Sequence, residues 1–272
     1  MCALISLKNI AQIVPKNIDI IAFDLDGTLA PSKSPLQPEM AAVLIKILQH
    51  WKVAVISGAS FAQFQSQFLH NLPCPISLLA NLSILPTDGG ELCRYDAHTN
   101  KWQCTQDQPF TDEEKQKIRE AFAHAFTTVG FVQPPTTYGP IIEDRSTQIT
   151  FSAYGMEAPL DIKKTWDPEH RKRSAMVAAL KPLLPGFSIH IGGATSIDIT
   201  RAGIDKAYGL RKLLTTFSIT PQRMVYVGDE LFPDGNDAPA LTVGALCVAV
   251  QGPEETIQVL KNLLVATNLE HM

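Results

Sequence analysis

The chain has 272 residues, which at about 150 residues per domain predicts two domains or one large one. Its 23 lysines and arginines against 27 aspartates and glutamates give a net charge of −4, which argues against the broad basic surface that nucleic-acid binding needs. Hydrophobic residues form 45% of the chain, enough for a sizeable core, and no apolar run reaches the roughly 18 residues of a membrane span. The five cysteines contain no C-x-x-C pair, and the N-terminal segment lacks the pattern of a signal peptide, so we expect reduced thiols and a cytoplasmic protein.

In chain order, the first elements are short apolar segments that each end at a polar residue, which is typical of strands buried in a parallel sheet. They are residues 18–23 before Asp24, 52–56 before Ser57, and 223–228 before Asp229. Amphipathic patterns predict helices over residues 38–50, about 60–70, 205–217 and 254–264. This alternation predicts a doubly wound α/β (Rossmannoid) domain with a parallel sheet, whose ligands bind at the carboxyl ends of the strands.

The middle of the chain has a different pattern, with short alternating segments and two capped helices. Thr111 and Glu114 form a capping-box sequence, and Asp167 before Pro168 predicts the start of the second helix. We therefore expect an antiparallel sheet with two helices, inserted into the α/β domain. The predicted domains are a catalytic core over residues 1–87 and 200–272, and an inserted α+β cap domain over residues 88–199.

Two carboxylates follow the first predicted strand directly, in the sequence Asp24-Leu25-Asp26-Gly27-Thr28. Gly27 permits a turn that aims both side chains into one cleft. Close carboxylates repel one another, so their ionised forms need a cation or a shared proton. Mg²⁺ is the natural partner because it prefers oxygen ligands, and Asp229 is a candidate third carboxylate. An isolated D-x-D-G sequence is also compatible with a simple turn, but the second Gly-Asp after a second strand disfavours that alternative.

With these motifs, the chain resembles the haloacid dehalogenase-like phosphotransferases, whose four sequence motifs occur here in order. They correspond to Phe23–Leu29, Ile56–Gly58, Lys206 and Gly228–Asp237. The first and fourth motifs are highly specific, the second is short, and the lysine gains weight from its place at a predicted helix start. The resemblance implies the haloacid dehalogenase-like α/β fold for the core.

The resemblance also implies a role in phosphoryl transfer for each matching residue. Asp24 would be the nucleophile that forms an aspartyl phosphate. Asp26 would act as general acid and base, first on the leaving oxygen and then on the acceptor. Ser57 and Lys206 would hold the transferring phosphoryl oxygens. Taken alone, Lys206 fits a solvated lysine at a helix start better than a catalytic one, and the presence of the other three motifs reverses that preference.

A Mg²⁺ site follows from the same resemblance. The carboxylates of Asp24 and Asp229 and the backbone carbonyl of Asp26 would bind the metal. Asn236 and Asp237 would orient the metal-bound water molecules. A direct bond from Asp237 to the metal is left open.

The insertion falls between the second and third motifs, where type IIB members of the superfamily carry a mixed α/β cap. Here the closest resemblance is to the eukaryotic-type phosphomannomutases, through the spacing of the fourth motif, Ile142–Arg145 and Gly192–Asp198. It implies that Arg145, Ser196 and Asp198 of the cap contact the substrate. For Arg145, an ion pair with a neighbouring carboxylate is the alternative.

Three arginines of that family are replaced in this chain. The corresponding positions are Lys33, Met156 and Lys163. Lysine offers a point charge where arginine offers a bidentate fork, so Lys33 and Lys163 are expected to contact substrate phosphate more loosely. Methionine offers no charge. A mutase must hold a bisphosphate in two orientations, so this weaker grip favours a phosphatase.

The sequence therefore leaves three functions open. The favoured one is a Mg²⁺-dependent sugar-phosphate phosphatase acting through an aspartyl phosphate. The alternative is a phosphomannomutase that interconverts mannose 1-phosphate and mannose 6-phosphate. A catalytically silent sugar-phosphate-binding protein is remote, because the three expected metal-binding aspartates are all present. The expected partner is a small-molecule sugar phosphate, without nucleic acid or membrane, and the resemblance implies a homodimer formed through the cap.

Overall fold

The computed structural model describes residues 4–5, 17–233 and 235–267. The signal-peptide prediction, which concerns residues 1–16, therefore falls largely outside the described residues, as does Asp234 of the fourth motif. The chain divides into two compact units: unit 1 comprises Met1–Thr105 and Asp205–Met272, and unit 2 comprises Gln106–Ile204. Within the described ranges, no helix is long and apolar enough to cross a membrane.

Strands and helices alternate through most of unit 1. The described strands are β1 Leu4–Ile5, β2 Ile20–Asp24, β3 Lys52–Ile56, β4 Leu82–Leu85, β5 Glu91–Asp96, β6 Lys101–Gln106, β7 Ile142–Asp144, β8 Gln148–Ser152, β9 Phe187–Gly192, β10 Ser196–Arg201, β11 Met224–Gly228 and β12 Leu246–Ala249. The described α-helices are α1 Pro38–Leu48, α2 Phe61–Gln67, α3 Ile76–Leu79, α4 Asp112–Val129, α5 Leu160–Trp166, α6 Arg171–Leu180, α7 Lys206–Phe217 and α8 Pro253–Ala266.

The described strands of unit 1 form an eight-stranded sheet in the order β1-β12-β11-β2-β3-β4-β5-β6. Neighbours from β1 to β4 are parallel, and β5 is antiparallel to β4. The central strand β2 is fully buried because its side chains alternate between two apolar clusters. Ile21 and Phe23 pack with side chains of α1 and α8, whereas Ile20 and Ala22 pack with side chains of α7. Helices on both faces confirm the predicted doubly wound α/β fold.

This topology brings the predicted polar strand ends to one edge of the sheet. Strand β2 lies between β11 and β3, and all three run parallel. Asp24, Ser57 and Asp229 therefore lie at the same edge, because the carboxyl ends of parallel neighbours coincide.

Unit 2 contains a four-stranded antiparallel sheet in the order β7-β8-β10-β9. One face is apolar, and Phe151 of β8 packs there with Phe122 of α4 and Met176 of α6. The opposite face carries a polar row of residues in register: Glu143, Thr150, Asp198 and His190. Helices on one side and a polar face on the other give unit 2 the predicted α+β character.

The boundaries of the two units differ from the predicted domain limits of 88 and 199. The strands over residues 91–106 add to the edge of the core sheet instead of entering unit 2. Their alternating pattern predicts a strand, but that pattern does not say to which sheet the strand belongs.

Of the two helix starts predicted in this region, one is confirmed and the other is not. The capping box is confirmed, since the Thr111 hydroxyl accepts from the Glu114 amide at 3.3 Å and the Glu114 carboxylate accepts from the Thr111 amide at 2.8 Å. The predicted helix start at Asp167 is wrong, because α6 begins at Arg171 after a turn. The Asp167 carboxylate still caps that helix by accepting from the amides of Lys172 at 3.0 Å and Arg173 at 3.1 Å.

The expectation of reduced thiols is also wrong for two of the five cysteines. Cys93 on β5 and Cys104 on β6 form a disulfide, because adjacent strands bring them side by side. Cys74 is a free thiol, the buried Cys247 thiol donates to the carbonyls of Ala240 and Ala245, and Cys2 lies outside the described residues.

Candidate active site

Asp24 lies at the end of the central strand with its carboxylate buried. Its Oδ1 accepts a hydrogen bond from Lys206 Nζ at 2.6 Å. Its Oδ2 is buried and has no hydrogen-bond partner among the described residues. Burial raises the pKa of Asp24 against the opposing charge of Lys206. A buried carboxylate oxygen without a donor is costly, so Oδ2 is the atom at which a bound ligand would complete this site.

Lys206 is positioned by the first turn of α7, where the Asp205 carboxylate caps the helix by accepting from the Tyr208 amide at 2.9 Å. Its buried ammonium donates to Asp24 Oδ1 at 2.6 Å, to Asn236 Oδ1 at 2.7 Å and to Asp237 Oδ1 at 2.7 Å. Burial alone would lower the pKa of Lys206, but the neighbouring carboxylates raise it above its ordinary value. Lys206 is therefore a fixed positive charge and not a solvated surface lysine.

Asp237 is fully buried and accepts hydrogen bonds on both carboxylate oxygens. Oδ1 accepts from Lys206 and from the hydroxyl of Tyr226, and Oδ2 accepts from the Glu230 amide at 2.9 Å. A Cβ on Gly228 would lie 2.4 Å from Oδ2, so that position requires glycine. These contacts fix the orientation of the carboxylate and occupy most of its capacity to accept hydrogen bonds.

Asp229 follows β11 and faces the loop of the first motif. Its Oδ1 accepts from the Thr28 hydroxyl at 3.0 Å. A Cβ on Gly27, whose φ is +91°, would lie 2.3 Å from Asp229 Oδ2, so both the turn and the close approach require glycine. Burial raises the pKa of Asp229 to about 6, and the charges of Asp237 and Glu230 act in the same direction.

These aspartates form a cluster that fits a hard divalent cation. One carboxylate oxygen from each of Asp24, Asp229 and Asp237 lies within 4.8 Å of the others. The nearby cation, Lys206, supplies one positive charge against three carboxylates. All the candidate ligands are oxygens, and within the described ranges no group donates to the buried Asp24 Oδ2. Oxygen ligands and excess negative charge are what Mg²⁺ selects.

Asp26 has surroundings unlike those of Asp24, although only one residue separates them. Its Oδ1 accepts from the Lys33 amide at 2.7 Å and from Gln67 Nε2 at 2.8 Å, and its Oδ2 accepts from the Lys33 ammonium. Burial acts to raise the pKa of Asp26, but the charge and hydrogen bonds of Lys33 hold it below its ordinary value. Lys33, which the sequence predicts as a phosphate contact, here contacts the predicted acid and base.

Ser57 follows β3, whose last residue Ile56 pairs in register with Asp24. Its buried hydroxyl accepts from the Ala59 amide at 3.2 Å. The structure therefore places Ser57 at the strand end beside Asp24, as the sequence predicts.

Of the predicted substrate residues of unit 2, Asp198 lies on the polar sheet face, Ser196 lies two residues before it on β10, and Arg145 follows the end of β7. Arg145 is buried and donates to Glu143 Oε2 through Nε at 3.1 Å and Nη2 at 2.7 Å. Asp198 Oδ1 accepts from Thr150 Oγ1 at 2.6 Å and from Gln148 Nε2 at 2.9 Å. The ion pair weighed as the alternative for Arg145 is therefore present, with Glu143 as the partner.

Ser196 begins β10 and pairs in register with Gly192 and Ser152. A Cβ on Gly192 would lie 2.3 Å from Asp198 Oδ2, so glycine there leaves room for that carboxylate. Lys163 is buried in α5 and donates to the Met156 carbonyl at 2.6 Å.

Three further polar residues contact the residues described above and were not predicted from the sequence to do so. Gln67 is a polar residue on the apolar face of its helix, three positions after the buried Phe64, and that placement is a usable signal. Tyr226 carries a hydroxyl in the middle of a fully buried strand, and burial raises the pKa of this phenol. Arg173 is buried, pairs with Asp167 at 3.0 Å and donates to the carbonyls of the Gly192-Gly193 turn. Nothing in the local sequence distinguishes Arg173 from the basic residues beside it.

Comparison with known proteins adds a family match. The sequence model of the family described as "Eukaryotic phosphomannomutase" matches residues 40–266. A probable phosphomannomutase of Caenorhabditis elegans is 27% identical over 258 residues, which cover 90% of this chain and 95% of that protein. The phosphomannomutase of Saccharomyces cerevisiae is 26% identical over 255 residues, which cover 90% of this chain and 93% of that one.

Solved structures are similar in fold at lower identity. An N-terminally truncated Plasmodium falciparum IMP-nucleotidase matches with a TM-score of 0.70 and 17% identity, over 96% of this chain and 73% of that one. A haloacid dehalogenase-like hydrolase from Bacteroides thetaiotaomicron matches with a TM-score of 0.61 and 14% identity, over 90% of this chain and 99% of that one. At these identities the likeness shows the haloacid dehalogenase-like fold alone.

Proposed function

Because the chain belongs to the eukaryotic phosphomannomutase family, we propose that it is a Mg²⁺-dependent phosphomannomutase that interconverts mannose 1-phosphate and mannose 6-phosphate. Membership makes it a haloacid dehalogenase-like enzyme of phosphoryl transfer on sugar phosphates. The observation at the site that carries the proposal is the buried Oδ2 of Asp24, which lies beside the fixed charge of Lys206 and has no donor in the described part of the chain. This choice reverses the preference for a phosphatase that the substituted arginines suggest.

The chemistry begins with attack of an Asp24 oxygen on phosphorus. Lys206 occupies Oδ1, which leaves Oδ2 for the new bond. As the Asp24–phosphorus bond forms, the bond from phosphorus to the sugar oxygen breaks, and Asp26 passes to the leaving oxygen the proton that it took up from a sugar hydroxyl in the preceding half-reaction. In the reverse half-reaction Asp26 accepts a proton from a sugar hydroxyl, which attacks the aspartyl phosphate and releases the Asp24 carboxylate.

In a mutase cycle, the aspartyl phosphate donates its phosphoryl group to the free hydroxyl of a hexose monophosphate. The resulting bisphosphate turns over in the site and returns its other phosphoryl group to Asp24. Phosphorus and charge balance over the cycle, so a catalytic amount of hexose 1,6-bisphosphate suffices to phosphorylate the enzyme at the start.

The groups that would hold Mg²⁺ are the Asp229 carboxylate, the backbone carbonyl of Asp26 and Asp24 through Oδ1, the oxygen that does not bond to phosphorus. When bound, the metal supplies positive charge to the transferring phosphoryl oxygens. Asp237 already accepts three hydrogen bonds, which supports a role in orienting metal-bound water, with Asn236 beside it. Ser57 and Lys206 complete the set of donors for the phosphoryl group.

Arg145, Ser196 and Asp198 are the proposed substrate contacts in unit 2. Arg145 supplies a guanidinium for the phosphate that is not reacting, and Asp198 and Ser196 supply hydrogen bonds for sugar hydroxyls. A homodimer through unit 2 stays a prediction.

A sugar-phosphate phosphatase is the second candidate, and one set of contacts favours it. The cationic groups expected to grip a distal phosphate have partners within the chain: Lys33 contacts Asp26, Lys163 contacts the Met156 carbonyl, and Arg145 contacts Glu143. A loosely held bisphosphate would leave before turning over, and water would then hydrolyse the aspartyl phosphate.

A pair of assays on the same preparation separates the two functions. We expect a coupled assay with Mg²⁺ and hexose 1,6-bisphosphate to show isomerisation of mannose 1-phosphate faster than release of inorganic phosphate. A chelator should stop the reaction and added Mg²⁺ should restore it. Phosphate release that exceeds isomerisation, and does not require bisphosphate, would establish the phosphatase instead.

A further inference from the structure

The carboxylate of Asp26 is held by three donors from two separate segments of unit 1. The amide and the ammonium of Lys33 contact opposite oxygens of the carboxylate, and Gln67 Nε2 shares Oδ1 with the Lys33 amide, at 2.8 and 2.7 Å. We call Lys33 and Gln67 the Asp26 clamp. Both carboxylate oxygens are fixed, so the side chain has one orientation.

The backbone on each side of the clamp is organised around this contact. Lys33 has φ of +55°, a left-handed conformation that is unfavourable for a residue with a side chain and persists only where surrounding contacts enforce it. The Gln67 carbonyl accepts from the Leu36 amide at 2.9 Å. The end of α2 therefore binds both the loop after Asp26 and the carboxylate itself.

We propose that Lys33 and Gln67 are positioning residues, which hold the Asp26 carboxylate where it exchanges a proton with the leaving and attacking oxygens. The inference rests on the proposed function, because it assigns that proton transfer to Asp26. It also reassigns Lys33, which the sequence predicts as a contact to substrate phosphate.

The two roles of Lys33 differ in what its loss would change. A phosphate contact acts on binding, so its removal raises KM and leaves kcat nearly constant. A positioning residue acts on the transition state through Asp26, so its removal lowers kcat and leaves KM nearly constant. The loss should also depend on the leaving group, because a good leaving group needs little help from a proton donor.

The test uses the full-length enzyme and the variants Lys33→Met, Lys33→Arg and Gln67→Leu. The matched control is Lys261→Met, since Lys261 is also ion-paired, to Glu39 at 3.0 Å on the exposed surface of the same unit. Each is assayed with mannose 1-phosphate and with p-nitrophenyl phosphate, whose leaving group is good. Circular dichroism and thermal unfolding establish that each variant is folded.

We expect Lys33→Met and Gln67→Leu each to lower kcat on the sugar phosphate by about 10- to 100-fold, the cost of a displaced catalytic group, with KM within about twofold. The loss on p-nitrophenyl phosphate should be several-fold smaller, Lys33→Arg should recover part of the rate, and the control should match wild type. In an Asp26→Ala background, Lys33→Met should have no further effect, because the clamp acts through that carboxylate.

A rise in KM with constant kcat, or a full additional loss in the Asp26→Ala background, would overturn the clamp and restore Lys33 as a substrate contact. If Lys33→Met does not fold, Gln67→Leu decides by the same readouts. Failure of the proposed function can be distinguished from failure of the clamp. If the wild-type enzyme only releases phosphate, the comparison of good and poor leaving groups still tests whether Lys33 and Gln67 act through Asp26.

Discussion

In unit 1 one ammonium, that of Lys206, serves two buried carboxylates, whereas in unit 2 each of two buried arginines has a carboxylate partner of its own. Lys206 contacts Asp24 and Asp237. In unit 2, Arg145 pairs with Glu143 and Arg173 pairs with Asp167. The cluster in unit 1 is short of positive charge, and one oxygen of Asp24 has no donor among the residues that the structure describes, while these pairs in unit 2 are already balanced.

This difference separates what the two regions need from a ligand. In the proposed function a cation and a phosphoryl group would complete the cluster in unit 1, so the loss of one atom there should stop the chemistry. A phosphate that binds Arg145 must compete with Glu143, so changes in unit 2 should shift affinity by moderate amounts in either direction.

The largest effect should come from Asp24→Asn, which keeps the shape of the side chain but removes the attacking oxygen. We expect turnover to fall by more than about 10³-fold with an unchanged circular dichroism spectrum. The matched control is Asp19→Asn, on the same stretch of chain, whose carboxylate pairs with Arg223 near the surface at 2.5 Å. Retention of more than a few percent of activity would show that Asp24 is not the nucleophile.

Asp26→Ala should have the next largest effect. We expect kcat on sugar phosphates to fall by about 10²- to 10⁴-fold, the usual contribution of a positioned acid and base. The decrease should be smaller for an aryl phosphate with a good leaving group. Equal losses on both kinds of substrate, measured in steady-state assays, would rule out the leaving-group role.

The sequence predicts the unit 1 side of this comparison well. The strand-end positions of Asp24, Ser57 and Asp229 follow from three buried apolar segments, because parallel strands deliver their carboxyl ends to one edge. Lys206 is identified through its motif, and the capping Asp205 fixes its place on α7.

The contacts of the charged groups could not be predicted in the same way. Lys33 contacts Asp26 only because its backbone adopts a left-handed conformation. No sequence pattern in Pro31–Pro35 predicts that conformation. Whether Arg145 faces Glu143 or a ligand depends on side-chain rotamers, and sequence periodicity fixes faces but not rotamers. The placement of the strands over 91–106 depends on which sheet edge is free, which is a tertiary property.

Tyr226→Phe tests how far the order of the unit 1 cluster depends on a single hydroxyl. The variant removes one donor to Asp237 from a fully buried strand and leaves the ring in place. We expect the affinity for Mg²⁺ to fall by about 10-fold, at the lower end for groups that orient metal ligands. Mn²⁺ binding followed by electron paramagnetic resonance gives a readout independent of turnover. Unchanged binding, with Tyr95→Phe as the control, would contradict this role.

Changes at Arg145 and Glu143 should act in opposite directions. Arg145→Met removes the guanidinium, and we expect KM for hexose 1,6-bisphosphate to rise about fivefold, less than an uncontested charged hydrogen bond would give. Glu143→Gln removes the competing charge and should lower that KM. Initial-rate measurements over a range of bisphosphate check both. If the two variants change KM in the same direction, Arg145 has a structural role and does not bind phosphate.

The smallest effect concerns stability and follows from the raised pKa of Asp229, about 6 against an ordinary value of 3.8. A folded metal-free protein that holds this proton more tightly than the unfolded chain gains stability below pH 4, and it loses that contribution as the pH rises through 6. In a chelator at pH 7.5, Asp229→Asn should therefore be more stable than wild type, because it has no charge to bury and still accepts from Thr28. Because the side chain is partly exposed, we discount the effect and expect the variant to exceed wild type by about 1 kcal/mol in the free energy of unfolding, or by about 2 °C in Tm. The difference should vanish at pH 4, and Mg²⁺ at pH 7.5 should stabilise wild type more than the variant. If the variant is less stable than wild type in chelator at pH 7.5, repulsion among the carboxylates of the cluster does not destabilise the metal-free protein.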